Sequence, residues 1–391
     1  MNTQIRQLYQ IASKPERNII GLMSGTSLDG LDIALCNISG FGIDTKLKVK
    51  KFETIPYDDD LKKDILEIFA KENIEFLKLS QLNPRIALIH GKMVMDFLKR
   101  NSIASSDIDL IASHGQTVYH SPNRNSGKEN STLQIGDGDH LAVTTGIITI
   151  SDFRQKNIAA GGDGAPLAVY GDRILFSKEG EGRLFLNIGG IANFTFLPGN
   201  NSFKVICTDT GPGNTMMDAF IRQQMPGKYF DEDGMLAASG TVNEELLAAL
   251  KSNDFFKQPF PKTTGPELFN RKYLAAALSN RQVPSNDIMA TLNKFSADMI
   301  VEAIKICLLD TDGLQVFTSG GGANNPVLMQ NLKEQMPGAV FHSTEGLGID
   351  PDAKEAVLFA VLANECVCGS PWGSLPEGIP EVLMGKISLP A

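Results

Sequence analysis

The feature that most narrows what this chain can fold into is an order of elements that occurs twice. Near the start, Asn18 to Ile20 reads as a short apolar strand, followed by a glycine turn and a returning strand, Leu31 to Leu35. Further on, Arg183 to Asn187 reads as a strand, Ile188 to Ala192 as a glycine turn and Asn193 to Leu197 as the returning strand. Each hairpin precedes helices and then strands that run into polar loops. A chain of 391 residues is long for one hydrophobic core and comfortable for two. The pattern predicts a duplicated α/β architecture with a cleft between its halves, divided into residues 1–180 and 181–391.

The first half reads as follows. Thr3 to Ala12 is helical and precedes the first strand as an accessory cap. Leu61, Ile65, Ile68 and Phe69 keep a helical period, as do Phe76 to Leu98, with an interruption expected at Pro84. His90 falls in that second stretch and reads as a satisfied core or surface histidine. Three strands then end in polar loops: Asp109–Ala112 before Ser113-His114-Gly115-Gln116-Thr117, Thr132–Ile135 before Gly136-Asp137-Gly138-Asp139, and Ile147–Ile150 before Ser151-Asp152-Phe153-Arg154. In open α/β sheets ligands gather beyond the carboxyl ends of strands, so these loops point to one shared cleft.

In the second half, Lys204 to Thr208 is a strand ending in Asp209-Thr210-Gly211-Pro212-Gly213-Asn214, with a helix from about Met216. Ile288, Leu292, Phe295, Met299 and Ala303 share a helix face. Gln315 to Thr318 is a strand entering Ser319-Gly320-Gly321-Gly322-Ala323-Asn324-Asn325. Val340 to His342 reads as the last strand, backed by a helix from Ala353 to Ala363.

Charge and composition exclude several classes. The formal net charge of −9 and the lack of a basic block argue against nucleic acid or an anionic membrane surface as partner. No run of eighteen apolar residues spans a bilayer, and the charged first twenty residues do not resemble a signal peptide. The five cysteines are odd in number and scattered, as expected of reduced thiols in a cytoplasmic protein. The P-loop pattern and the dinucleotide fingerprint are absent, as is H-E-x-x-H. Asp231-Glu232-Asp233-Gly234 starts like a calcium loop but reaches Val242 at its twelfth position.

The turn between the first two strands, GLMSGTSLDGLD, is chemically loaded. Glycines let backbone N–H groups approach an anion, Ser24, Thr26 and Ser27 add hydroxyl donors, and Asp29 and Asp32 can hold a divalent cation. Ser-Gly and Asp-Gly pairs also mark ordinary turns, so this segment alone leaves both readings open. The triple glycine at Gly320–Gly322 lets a backbone lie flat on an adenine ring. Two such hairpins and that loop resemble the superfamily of actin, hexokinase and the heat-shock chaperone ATPases.

The match narrows. GLMSGTSLDGLD, SHGQT, TLQIGDG, DFR, AAGGDGAPL, LNIGGIAN, DTGPGNTMMDAF, FDEDGMLAASG, TTGPELFN and SGGGANN look like the anhydro-N-acetylmuramic acid kinase family, in that family's order from Gly21 to Asn325. The resemblance implies two tandem ribonuclease-H-like (actin-like ATPase) domains with a central cleft. It implies an ATP- and Mg²⁺-dependent enzyme of bacterial cell-wall recycling that opens a 1,6-anhydro sugar with water and phosphorylates O6. It places ATP on Gly25, Thr26, Ser27, Leu28, Asp29, Gly30, Leu31 and Asp32 of the first half. In the second half it places ATP on Asn187, Gly189, Gly190, Asn193, Gly211, Gly213, Asn214, Gly320, Gly321, Gly322 and Asn324.

Asp209 matches the catalytic aspartate; by residue type alone it also reads as a cap of the following helix. Arg154 and Glu355 complete the catalytic set. Arg154 also reads as half of a surface ion pair, and Glu355 as a first-turn glutamate. Asp218 in the same segment as Asp209 falls inside the helix and reads as structural or as a support behind the residues that touch the substrate. The sugar falls to His114, Gln116, Thr117, Asp152, Arg154, Gly162 and Asp163, and the metal to Asp29, Asp32 and Glu355. Asp163 stands where the family more often carries glutamine. Alternatives are a kinase for a related anhydro sugar such as levoglucosan, or an ATP-driven binding module. A homodimer is left open.

Overall fold

A computed structural model describes residues 2–25, 28–121, 129–165, 167–199, 205–225, 227–265, 267–343, 350, 352–370 and 380–391. Thr26 and Ser27, both assigned to the nucleotide above, lie outside these residues, as does Lys204. Two compact units emerge: Met1–Phe176 with Gly348–Ala391, and Ser177–Leu347. The division therefore differs from the expected 1–180 and 181–391, because the carboxyl-terminal segment packs into the first unit.

The first unit begins with α1 (Thr3–Ala12), β1 (Glu16–Ser24), β2 (Gly30–Ser39), β3 (Lys46–Pro56), α2 (Asp59–Leu66) and α3 (Phe76–Arg100). It continues with β4 (Leu110–Ser121), β5 (Ser131–Ile135), α4 (Gly138–Thr145), β6 (Thr149–Ser151), α5 (Phe153–Ala159) and α6 (Ala168–Phe176). The second unit holds β7 (Arg183–Ile188), β8 (Ile191–Leu197), β9 (Ile206–Pro212), α7 (Thr215–Gln224), α8 (Met235–Ala238), α9 (Glu244–Lys251), α10 (Arg271–Leu278), α11 (Ser285–Leu308), β10 (Gln315–Ser319), α12 (Pro326–Gln335) and β11 (Val340–Ser343). The chain then returns to the first unit with α13 (Lys354–Cys368) and β12 (Lys386–Ser388).

The duplication is explicit in the sheets. The first runs β12-β6-β4-β1-β2-β3, with β5 beside β4; the second runs β11-β10-β7-β8-β9. In each, three consecutive strands pair antiparallel, a later strand adds parallel to the first of them, and another adds parallel to that one. The parallel additions arrive by crossovers that contain helices, as parallel pairing requires. This topology, present twice, is the ribonuclease-H-like fold of actin-type ATPases.

Local chemistry explains the elements. Asn2, Asp58, Asp137, Asn243, Asn270 and Asn325 accept first-turn N–H groups and so start α1, α2, α4, α9, α10 and α12. One face of the first sheet packs Ile20, Leu22 and Ile111 with Leu82, Ile86 and Val94 of α3. In the second unit Ile288, Leu292, Phe295 and Met299 of α11 anchor the core. Helix α13 is buried from Ala356 to Ala363 and packs against β1, β2 and β4. It can lie that close because Gly21 has no side chain: a Cβ there would sit 1.8 Å from the Ala356 carbonyl oxygen.

Several expectations need correction. β3 was not foreseen; its KLKVKKF sequence is a lysine-rich edge, which obscures the apolar pattern. β4 does not stop at Ala112 but carries His114, Gln116 and Thr117 within it, and β9 runs through Asp209 to Pro212. Helix α3 passes through Pro84 unbroken, since its buried face outweighs one lost backbone bond. Arg154 sits in the first turn of α5 rather than on a loop. The helix after β11 backs the first unit's sheet, and β12 follows it, so β11 is not the last strand.

Candidate active site

The first hairpin is fixed at its base by unbroken antiparallel pairing to Met23 opposite Asp32. Beyond it the Gly25 carbonyl accepts from Leu28 N–H at 3.4 Å, and Leu28 takes φ +60° with its side chain buried. The Asp29 carbonyl accepts from Tyr57 N–H at 3.2 Å. The turn opens on a cavity of about 420 Å³ lined by Gly25, Asp29, Gly30, Asp32, Thr54, Asp352 and Glu355. Asp32 accepts from the Thr54 hydroxyl at 2.6 Å. Burial raises its carboxyl above the usual range, against the Thr54 bond, and the charges of Asp352 and Asp29 push the same way. Burial also raises Glu355; Arg154 opposes this and Asp32 adds to it.

Four carboxylates thus crowd one cavity, a charge excess that a divalent cation relieves. Among the described residues no three His, Cys, Asp or Glu side chains converge as a ready-made metal cage. Thr54 and Asp352 were missed in the sequence: the first lies on the unforeseen β3, the second in an aspartate pair just before α13.

Beside the cavity, Arg154 is mostly buried. Its Nε donates to His114 Nε2 at 2.8 Å and its Nη1 to the Gly164 carbonyl at 2.8 Å. Arginine can only donate, so His114 Nε2 accepts and Nδ1 carries the proton toward the Gly115 carbonyl, 2.9 Å away. Burial, with Arg154 adding, pushes His114 down to about 3. The imidazole packs on Phe359 of α13, ring centroids 4.8 Å apart. Burial lowers the Arg154 guanidinium and Glu355 counters it. An exposed surface ion pair is therefore not what Arg154 makes.

The remaining sugar-side candidates divide. Asp163 accepts from Asn130 Nδ2 at 2.9 Å, next to Gly162, whose carbonyl takes the same amide at 3.0 Å. Thr117 Oγ1 accepts from Gln134 at 3.1 Å. Gln116 is fully buried, and its amide contacts Ser24, Gly25 and Thr117, so it faces the hairpin's interior. Asp152 pairs with Lys386 and lines a second cavity of about 440 Å³ together with His114, Ser113 and Ser151.

In the second unit three loops interlock. Gly213 and Asn214 N–H groups donate to the Gly190 and Gly189 carbonyls at 2.9 and 2.8 Å, and Asn214 Nδ2 reaches the Ile188 carbonyl at 3.3 Å. Ser319 donates to Asn187 at 3.3 Å, bringing the Gly320–Gly322 loop onto the same hairpin, with Asn324 in the 3₁₀ turn that follows. Asn193 pairs with Asn187 across the hairpin and with Asp209 on the other side. Gly211 is buried at the end of β9. Asp209 Oδ2 accepts from Thr264 N–H at 2.9 Å, and its own N–H donates to the Lys262 carbonyl at 3.0 Å. Among the described residues Thr264 alone bonds that carboxylate, and burial raises its pKa. The following helix starts at Thr215 on Asn214, so Asp209 is not its cap.

Twin ribonuclease-H-like units, with a carboxylate-lined hairpin in the first and interlocked glycine loops in the second, give the chain the architecture of the actin-like ATPase class. A family model described as anhydro-N-acetylmuramic acid kinase matches residues 17–384. A protein of Pseudoalteromonas atlantica named anhydro-N-acetylmuramic acid kinase is 51% identical over 400 residues, covering 100% of both chains. One of the same name from Caldanaerobacter subterraneus is 40% identical, covering 98% of this chain and 100% of its own. A solved ROK hexokinase from Thermus thermophilus aligns with TM-score 0.35 and 13% identity, over 88% of this chain and 96% of that one. The chain belongs to the anhydro-N-acetylmuramic acid kinase family.

Proposed function

We propose that this protein uses ATP and water to open the 1,6-anhydro ring of anhydro-N-acetylmuramic acid, giving N-acetylmuramic acid 6-phosphate and ADP in cell-wall recycling. The observation that carries this is the chemistry of Asp209: a carboxylate with burial-raised basicity, held by one amide and otherwise uncommitted among the described residues. A base for water needs that combination. In the reaction Asp209 takes a proton from water while the water oxygen bonds to the anomeric carbon. The C1–O6 bond breaks, and O6 takes the γ-phosphoryl group as ADP leaves. The sugar step follows inverting glycoside hydrolysis, with phosphoryl capture in place of an acid.

Asp29, Asp32 and Glu355 are the residues that would hold Mg²⁺, with Asp352 adding charge. The metal supplies neutralisation of the triphosphate. Gly25, Leu28 to Asp32, and the loops at 187–193, 211–214 and 320–324 are the nucleotide's ligands in this reading. Arg154, oriented by His114, presents positive charge to the sugar's carboxylate. His114, Thr117, Gly162 and Asp163 surround it, and action is in the cytoplasm, where ATP is available. Among the described residues no helix is long and apolar enough to cross a membrane.

The test measures ADP release with anhydro-N-acetylmuramic acid, with levoglucosan and without sugar, and identifies the product by NMR. Release with the first alone, with phosphate on O6, is the expected result. Equal release without sugar, or preference for levoglucosan, defeats the proposal.

A further inference from the structure

Behind the first hairpin lies a row of buried polar side chains that the reaction scheme does not use. His90 of α3, Tyr57 just after β3, Ser24 at the end of β1 and Gln116 of β4 are each no more than 4% exposed. His90 Nε2 lies 2.6 Å from the Tyr57 hydroxyl, which lies 2.8 Å from Ser24 Oγ. Ser24 Oγ lies 2.5 Å from Gln116 Oε1. Gln116 Nε2 donates to the carbonyls of Gly25 and Thr117 at 3.3 and 3.2 Å.

Hydrogen-bond accounting fixes the direction of the whole row. Two carbonyls can only accept, so the Gln116 nitrogen faces them and its oxygen faces Ser24. That oxygen can only accept, so Ser24 donates to it. Ser24 then receives the Tyr57 proton, and Tyr57 receives the N–H of His90 Nε2. The other imidazole nitrogen, Nδ1, is left as an unprotonated acceptor, and it is the buried side-chain nitrogen of His90 without a partner. One tautomer satisfies every link of the row and leaves only His90 Nδ1 unpartnered.

The row ends on Gly25, whose carbonyl also closes the turn to Leu28. Tyr57 grips the hairpin a second time, because its backbone N–H holds the Asp29 carbonyl. One residue thus ties both arms of the turn, with His90 setting the direction of its hydroxyl. We propose that Tyr57 and His90 are positioning residues for the nucleotide: through Ser24 and Gln116 they set the Gly25 peptide, and so the aim of the hairpin at the phosphates. This rests on the reading of the hairpin as an ATP site.

The test is ATP binding by calorimetry with Mg²⁺ and no sugar, so it does not depend on the sugar's identity. Tyr57→Phe keeps the ring and removes the hydroxyl. ATP affinity is expected to fall about tenfold, the factor that ~1.4 kcal/mol represents, while KM for the sugar stays within about twofold. His90→Leu is expected to weaken ATP about threefold and His90→Gln, which restores a donor, to recover it. A general loss of stability would not split nucleotide from sugar, nor separate Leu from Gln at one site. Wild-type affinity in both Tyr57→Phe and His90→Leu overturns the inference, as does equal weakening by His90→Leu and His90→Gln. Wild-type protein that binds no ATP overturns the reading beneath it. Should Tyr57→Phe fail to fold, the His90 pair decides alone.

Discussion

The two hairpins share a topology and differ in what holds their turns. In the first, side chains do the work: a buried row from α3 to Gly25 behind the turn, and four carboxylates in front of it. In the second, backbone bonds lead: Gly189 and Gly190 carbonyls take N–H groups from the loop before α7, and uncharged Asn214 and Ser319 side chains add to them. The two units share a strand order, and the chemistry of their turns differs. A side-chain frame can carry charge for a metal, whereas a backbone frame offers close approach without charge.

The largest effect should come from the second unit's one invested acid. Asp209→Asn is expected to lower sugar-dependent ADP release by about 10³-fold, with ATP affinity in calorimetry within about twofold. Retained turnover would move the base elsewhere and erase the division of labour. Next is charge at the first hairpin. Glu355→Gln is expected to reduce turnover about 10²-fold and raise the Mg²⁺ needed for half activity. Asp218→Asn, in α7 of the second unit, should leave both near wild type; matched losses in a magnesium titration would make the two sides alike.

Packing supplies the third contrast. Gly21→Ala drives a methyl onto the Ala356 carbonyl and should cost about 3 kcal/mol in denaturant unfolding. At Gly190 the nearest atom to an added Cβ is Thr215 Cβ at 3.7 Å, so Gly190→Ala should cost under about 1 kcal/mol. The last contrast concerns acid. Burial holds His90 at about 4 and His114 at about 3. Below the unfolded value of about 6.5 the unfolded chain binds protons that these folded imidazoles refuse, so stability falls as pH falls. Between pH 7 and pH 5 each should cost on the order of 2 kcal/mol. His90→Leu should therefore lose less stability over that range than wild type, by that amount; parallel losses would show that His90 charges without unfolding.

The strand order was largely legible because glycine turns and apolar strands are local signals. Gly189 and Gly190 fall in the turn their neighbourhood predicts, whereas Asp209 lies within β9 rather than in the loop expected after it. What was not legible depends on partners far along the chain. His90 reads as an ordinary core residue because nothing near it in sequence announces Tyr57. Gln116 sits in a motif and reads as a ligand, yet a bulge at Gly115, with φ +73°, turns its amide inward. The family resemblance groups Glu355 with Asp29 and Asp32, and all three line one cavity; Asp352 joins them only because α13 returns to the first sheet, of which its own neighbours in the sequence give no hint. Thr54 was hidden with its strand, whose lysines mask the alternation.

That return has a consequence for how the protein is made. Residues 177–347 form an insertion within the first unit, uninterrupted in the chain. During synthesis this insertion emerges whole while its host still lacks the helix that covers β1, β2 and β4. The host must wait with an uncovered apolar face until α13 leaves the ribosome. Contacts between Gly21 and Ala356 span most of the chain, and such distant closures are slow. A truncation before residue 354 should leave the insertion folded and the host a target for chaperones.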